Sequence, residues 1–433
     1  MAGSATGTAF AARTVETFFV SCLPMNRLTQ AAARRRRRFT LAAVTTLLGA
    51  IYAGSPLVTP LYPLYQHAFG LSELTLTLIY AAYMIGNLVA LFAFGRLSDQ
   101  VGRRGVSLAA LAVAILSTLL FLLAVDTSWL FAARATSGLA IGVGAATATA
   151  WIAELYPPQN KAAASRTAAA VNLAGLTVGP LVAGLLAQFV RWPLRTVFVV
   201  YLLVLLGLLA CTVFTEDTVT HRARALRDVS FMPRLGVPRN LRIAFVAPVA
   251  TAFAIFALLG FYAALIPGLL ANSMHQHSPA VGGAIVAEVF AVAAGTVIVT
   301  RTLQPRTAMS TGLWLLPVSL AMLLWAQITA SMAGLVVATA LCGISSALGF
   351  RGSLQEANEM APADRRAELV SSYLVACYTG NSLPVVGIAA LSRYLGHIGA
   401  NMVFAAVSVV LAIVALIVSA RYRHRSGAPM SRA

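Results

Sequence analysis

Two ionisable side chains stand where an ionised group is costly. Glu288 lies in Ala-Ile-Val-Ala-Glu-Val-Phe-Ala-Val with no basic residue nearby in sequence, and Arg134 lies in the run Phe-Ala-Ala-Arg-Ala. A charge at the centre of a membrane-spanning helix costs at least about 2.5 to 3.5 kcal/mol, so such residues usually have a task. A carboxyl group can carry a proton. A guanidinium can hold an anion, or expel a proton from a neighbouring acid as a site rearranges. Glu288 and Arg134 are therefore the candidate proton-coupling residues, without their direct pairing being implied. The competing reading makes each a hydrogen-bonded anchor between helices. A softer set, Tyr52, Tyr80, Tyr83, Asn87, Asn172, Tyr262, Tyr373, Tyr378 and Asn381, places polar groups at membrane depth, fit to line a water-filled cavity for a small molecule.

Catalytic chemistry finds no matching residues. His67, His221, His275, His277, His397 and His424 are all expected in loops or tails, which leaves no serine-histidine pair within the spans. No His-Glu-x-x-His zinc motif and no Gly-x-x-x-x-Gly-Lys phosphate loop occurs. Cys22, Cys211, Cys342 and Cys377 have neither paired nor metal-ligand spacing. No catalytic residue, metal or cofactor is expected, and the chain is not read as an enzyme.

The elements that position these residues follow from composition. Hydrophobic residues make up 59% of 433 positions and charged residues 10%, with 31 basic against 13 acidic, too few to cover a water-soluble protein of this length. Spans of about 20 apolar residues suffice to cross the hydrocarbon layer. Twelve are expected, at 40 to 62, 76 to 97, 105 to 125, 129 to 152, 164 to 189, 194 to 214, 241 to 269, 280 to 301, 309 to 329, 331 to 351, 367 to 392 and 397 to 420. The runs are continuous and not alternating, which selects helices over a barrel.

The net charge of +18 sits in the short gaps between runs, the pattern that orients helices and not a nucleic-acid surface. Only Arg191, Arg195 and Arg393 fall outside when the N-terminus is cytoplasmic, and Arg134 falls within a span; all other basic residues are inside. Both termini are thus expected in the cytoplasm of a multi-pass plasma-membrane protein. Residues 1–39 are expected to be a disordered tail, with Met25 a candidate start and the residues before it dispensable. The expected organisation continues with a bundle at 40–214, a cytoplasmic linker at 215–240, a second bundle at 241–421 and a tail at 422–433.

Internal repetition supports the two bundles. Glu154-Leu-Tyr-Pro157 near the end of span four matches Glu359-Met-Ala-Pro362 near the end of span ten. Pro180 with Gly184 in span five matches Pro384 with Gly387 in span eleven. Parallel repeats of this kind are related by an axis along the membrane normal.

The loop after span two reads Gly95-Arg-Leu-Ser-Asp99-Gln-Val-Gly102-Arg103-Arg104-Gly105. It resembles the signature of the major facilitator superfamily, with Gln100 in place of the usual basic residue. Arg134-Ala-Thr-Ser-Gly138 is similar to the arginine motif of proton-coupled members, with Ser137 for glutamine. Gly175-Leu-Thr-Val-Gly179-Pro180-Leu-Val-Ala183-Gly184 is similar to the glycine-proline motif of drug/proton antiporters, with Ala183 for glycine. The resemblance implies an all-α fold of twelve transmembrane helices in two pseudo-symmetric six-helix bundles. It also implies that Asp99 contacts the start of the eleventh span and ties the halves in one state of a rocking cycle. Gly95, Asp99, Gly102, Arg103, Arg104, Glu154, Gly175, Gly179, Pro180, Gly184 and Pro384 are the residues expected to control conformation. Plain helix packing is the alternative for the glycines, and a topogenic turn for the loop. The expected activity is proton-coupled efflux of small amphipathic compounds by a monomer, with lipid, protons and a small molecule as partners. Uptake of a sugar or organic acid, or a receptor or scaffold without transport, are the alternatives.

Overall fold

The computed structural model describes residues 27–95, 97–219, 235–362 and 364–426. Residues 1–26, Arg96, most of the expected linker with its Arg222, Arg224, Arg227 and Arg234, and 427–433 lie outside the described residues. The helices long and apolar enough to span are α1 (Arg27–Gly54), α2 (Glu73–Phe94), α3 (Arg103–Leu122), α4 (Thr127–Leu155), α5 (Lys161–Phe189) and α6 (Pro193–Val213), then α7 (Arg242–Ala264), α8 (Pro279–Val299), α9 (Pro305–Ile328) and α10 (Met332–Met360). The last helix, Arg366–Ser426, bends at Gly396, where φ is 67° and ψ 172°, and so supplies two spans, α11 (366–395) and α12 (397–426). The result is an all-α membrane protein of twelve spans, as expected.

Starts are set by local chemistry. Ser72, Asp126, Ser278 and Ser331 each accept a backbone N–H of the first turn of α2, α4, α8 and α10. At the exposed Asp126 cap, hydrogen bonds from the Ser128 hydroxyl and N–H hold the carboxyl below the usual range.

Several boundaries differ from expectation, among them the end of α10, at Met360 and not at 351. The first helix begins at Arg27 and not at 40, because Leu-Thr-Gln-Ala-Ala-Ala-Arg is built of residues that favour helix. It stops at Gly54 and not at 62: Pro56 and Pro60 interrupt it, and the chain resumes as a turn at Thr59–Leu61 and a short helix at Tyr62–Phe69. The seventh run likewise stops at Ala264 and resumes at Pro267 in a short helix, Ile266–Ser273.

Within the first half, α4 packs on α1, α2 and α3, and α5 on α1; within the second, α10 packs on α7, α8 and α9, and α11 on α7. Backbones approach closely where glycine permits it: a Cβ on Gly138 would lie 2.1 Å from the Tyr83 carbonyl, and one on Gly86 2.0 Å from that of Ala135. The ends bearing Arg34–Arg38, Arg103, Lys161, Arg306 and Arg366 form one face of the protein, here the basic face. The other end is the opposite face.

Candidate functional site

Arg134 is 1% exposed, inside the first half and towards the opposite face. Its Nε and Nη2 donate to the Tyr62 hydroxyl at 3.1 and 2.6 Å, and Nη1 donates to the Ser55 carbonyl at 2.9 Å. The guanidinium carbon lies 5.6 Å from the ring centres of Tyr62 and Tyr80 and 5.9 Å from that of Tyr83, within cation–π range. The break in α1 brings Ser55 and Tyr62 here, and the spacing of Tyr80 and Tyr83 on α2 presents both rings from one side.

The cage reaches across the halves. The Tyr80 hydroxyl accepts a 2.7 Å hydrogen bond from Asn381 Nδ2 on α11. Tyr52, Tyr83 and Tyr378 carry phenols close enough to interact electrostatically, the last from α11. Tyr52, Tyr80, Tyr378, Asn381 and Arg134 therefore form one neighbourhood. Asn87 lies one turn from Tyr83 and donates to its carbonyl at 3.2 Å, turned into the α2–α4 contact. Asn172 keeps its side-chain oxygen buried on α5 without a partner.

Tyr262 belongs to a separate centre. Its hydroxyl accepts from Thr339 at 3.3 Å and bonds Cys342, and Glu288 acts on it electrostatically. Glu288 is half-buried on the stripe of α8 that carries exposed Ala284, Ala291 and Gly295, with no hydrogen bond or ion pair among the described residues. The structure does not bring Glu288 and Arg134 together.

At the basic face the loop after α2 folds onto its own half. Gly102, at φ 119°, adopts a backbone that other residues avoid and starts α3. The Asp217 carboxylate then caps α3, accepting from Arg103 N at 3.0 Å and Arg104 N at 3.2 Å. The Arg103 side chain is 8% exposed and forks onto Glu154 at 2.6 Å, Ser98 at 2.6 Å and Asp99. Thr218 donates to Glu154 as well, and Arg104 reaches the Thr215 carbonyl. Asp99 thus pairs with Arg103 and not with the start of α11 in this conformation, while the expected tie belongs to one state of the cycle and is released in the other. Gly95 ends α2 in ordinary helical backbone, φ −57° and ψ −21°.

The halves join at the opposite face. A Cβ on Gly184 would lie 2.5 Å from the Pro279 carbonyl, and one on Gly283 2.3 Å from the Pro180 carbonyl, so α5 and α8 meet backbone to backbone. Gly175 and Gly179 serve α1 of their own half, against the carbonyls of Gly49 and Ala53. The glycine-proline stretch is therefore split between packing within a half and closure between halves. Pro384 lies inside α11 between Asn381 and Ser392, and Gly387 beside it faces open space. Thr59 donates to the Ala263 carbonyl across the halves at 2.8 Å. Glu73 of α2 lies 3.4 Å from His397 Nδ1 and 3.5 Å from the Ser392 hydroxyl, beside a small cavity lined also by Phe261, Gln327 and Asn401. His397 opens α12 at the bend instead of lying in a loop.

The model of the Major Facilitator Superfamily matches residues 39–383. The chain belongs to this superfamily. Among solved structures, this superfamily chain resembles a bacterial homologue of the human lysosomal transporter Spinster, inward-facing and unoccupied, with TM-score 0.68, 17% identity and coverage of 89% of this chain and 96% of that one. A POT family transporter in complex with 5-aminolevulinic acid gives TM-score 0.71 at 13% identity, covering 88% and 96%. By sequence it is similar to "Sugar transporter ERD6-like 6" of Arabidopsis thaliana, 30% identical over 128 residues, 30% of this chain and 24% of that protein. It is also similar to "Quinolone resistance protein NorA" of Staphylococcus aureus, 27% identical over 138 residues, 32% and 36% respectively. The matched stretches thus span about a quarter to a third of these curated relatives.

Sequence reasoning did not select Tyr62 or Ser55 for this superfamily member's cage, since both lay inside or at the edge of a span read as unbroken to 62. Pro56 and Pro60 were the available signal. It also missed Asp217, whose role depends on a contact between positions 103 and 217.

Proposed function

We propose that this chain exports small amphipathic compounds in exchange for protons by alternating access to a central site between its halves. The observation that carries the reading is where the halves are tied: α5 against α8 by backbone contact, and α2 against α11 through Tyr80–Asn381 and Glu73–Ser392. The excess of arginine on the basic face supports a cytoplasmic position for it and for both termini of a plasma-membrane protein. The conformation is then closed to the outside, with Arg134 just beneath the closure. Opening the opposite face requires these ties to part while the basic-face ends meet, a rocking of one bundle against the other. Asp99 would find its partner on α11 only in that second state.

Efflux is supported by similarity to a quinolone resistance protein. Proton coupling is supported by Glu288, an acid in mid-span with no cation paired to it among the described residues, with Arg134 responding across the rearrangement. The unit is a monomer, with a small molecule, protons and lipid as partners, and no cofactor. A second reading, uptake of a sugar or organic acid, is favoured by the sugar-transporter relative.

Everted vesicles with an imposed proton gradient, tested against a panel of cationic, neutral and anionic amphipaths, distinguish the readings. Accumulation driven by an acid interior, lost in Glu288→Gln, is the expected result. Accumulation that ignores the gradient, or a fully coupled Glu288→Gln, overturns the coupling.

A further inference from the structure

We infer that Arg134 and its tyrosines form a binding site for the carboxylate of an anionic substrate. This rests on the transport reading above and names the substrate class for the same cavity. Three arginines with partly or wholly buried surroundings can be compared. Arg103 is matched by Glu154 and Asp99, and Arg306 by Glu356 at 2.7 Å. Arg134 is the most buried of them, yet its hydrogen-bond partners, the Tyr62 hydroxyl and the Ser55 carbonyl, are neutral. No carboxylate pairs with it among the described residues. A guanidinium has five N–H donors, and three bonds leave two of them over. The C-terminal end of α1 offsets part of the charge, and the tyrosine rings add a cation–π share. Neither supplies the unit negative charge that a buried cation requires. Arg103 and Arg306 are paired with carboxylates of their own chain, and Arg351, only partly buried, meets carbonyl oxygens at the basic face; Arg134, buried deeper than any of them, is left for a partner from outside.

Geometry says what that partner is. The planar fork matches a carboxylate in two parallel hydrogen bonds. The walls, Tyr62, Tyr80 and Tyr83 with Tyr52 and Tyr378 beyond, are aromatic with hydroxyl edges, which suits a small apolar body attached to the anion. Tyr80 lies against the guanidinium and holds Asn381 of α11 through its hydroxyl. An anion that displaces Tyr62 from Arg134 shifts the group on which Tyr80 rests, so occupancy of the site reaches the tie between the halves.

The test uses the full chain in detergent with benzoate as probe, benzamide as its neutral isostere, and ionic strength matched with chloride. Benzoate should raise the unfolding midpoint saturably by about 2 °C, and benzamide should not. Arg134→Gln should abolish the benzoate shift, and Arg134→Lys should weaken the apparent affinity at least tenfold by losing the fork. Tyr62→Phe frees Nε and Nη2 of Arg134 and should bind benzoate several-fold more tightly, a gain that a purely structural residue would not produce. No benzoate shift in the wild type, an equal shift with benzamide, or an unchanged shift in Arg134→Gln overturns the inference. Binding is read without a gradient, so benzoate binding without coupled transport overturns the coupling alone. Coupled transport of a neutral or cationic panel member without benzoate binding overturns this inference alone.

Discussion

The two halves repeat a motif in sequence but use it differently in space. In the first half, α5 carries Pro180 and Gly184 into backbone contact with α8 across the halves; in the second, α11 carries Pro384 and Gly387 to the same level and meets α2 through side chains, Asn381 on Tyr80 and Ser392 on Glu73. One seam of the closure is therefore rigid and shape-determined, and the other is polar and exchangeable. A backbone seam forms fully or not at all. Hydrogen bonds can trade partners with water or substrate.

The matched glycines offer the sharpest way to break this contrast. Gly184→Ala places a methyl 2.5 Å from the Pro279 carbonyl, a backbone atom that cannot swing aside, whereas the same change at Gly387 meets open space. Transport should fall more than about tenfold in Gly184→Ala, a loss of roughly 1.4 kcal/mol or more in closing the seam, and stay at wild type in Gly387→Ala. Equal effects in a vesicle transport assay would mean that the repeat outweighs the observed packing.

The basic face sharpens the comparison through its ion pairs. Arg103 is 8% exposed and its partner Glu154 36%, while Arg306 is 50% exposed and its partner Glu356 9%. The buried member is basic in one half and acidic in the other. Removing the exposed partner strands a buried charge that has no second partner, so Arg306→Gln should destabilise more than Glu356→Gln, at a cost of about 1 to 2 kcal/mol, whereas Asp99 still holds Arg103 in Glu154→Gln and should leave that variant close to Arg103→Gln. Thermal unfolding in detergent reads all four. Glu359→Gln, the match to Glu154 by sequence, should be silent, because the pair in the second half is built one turn earlier on α10.

A comparable effect is expected at Gly102, whose φ of 119° has no counterpart at the start of α9, since that helix begins after Gln304 with ordinary extended backbone. Gly102→Ala should cost about 1 to 2 kcal/mol by strain alone, readable in the same unfolding experiment, and Gln304→Ala close to none.

These particulars show where the sequence was legible. Continuous apolar runs located most span ends to within a few residues, because the bilayer imposes one length on each helix, and missed where helix runs on past the apolar stretch, as at the start of α1 and the end of α10. Arg134, Tyr80 and Asn381 could be named because polar groups at membrane depth are rare. Their meeting could not, since Asn381 reaches Tyr80 over a chain separation of 301 and only the packing of α2 on α11 joins them. The same holds for Glu356, passed over in favour of Glu359 because Glu-x-x-Pro repeats in the sequence while the facing of helix turns does not. Gly387 looked equivalent to Gly184 for the same reason: a motif records spacing along one helix, and the partner helix decides its use.

The polar seam carries the gentlest prediction. Glu73 and His397 face each other across the halves beside a cavity whose other lining groups, Phe261, Leu265, Leu269, Gln327, Ile388, Ser392 and Asn401, do not titrate. The His397 imidazole lies 3.4 Å from the Glu73 carboxylate, so the contact holds the halves together at this face. Removing it should let the opposite face open more readily. With exposed members the pair is worth about 0.5 to 1 kcal/mol, a two- to fivefold change in the open population. The alkylation rate of Leu269→Cys by a membrane-impermeant reagent, with native cysteines replaced and pH held constant, should rise by that factor in His397→Gln. An unchanged rate in His397→Gln would leave closure to the backbone seam of α5 and α8 and to Tyr80–Asn381.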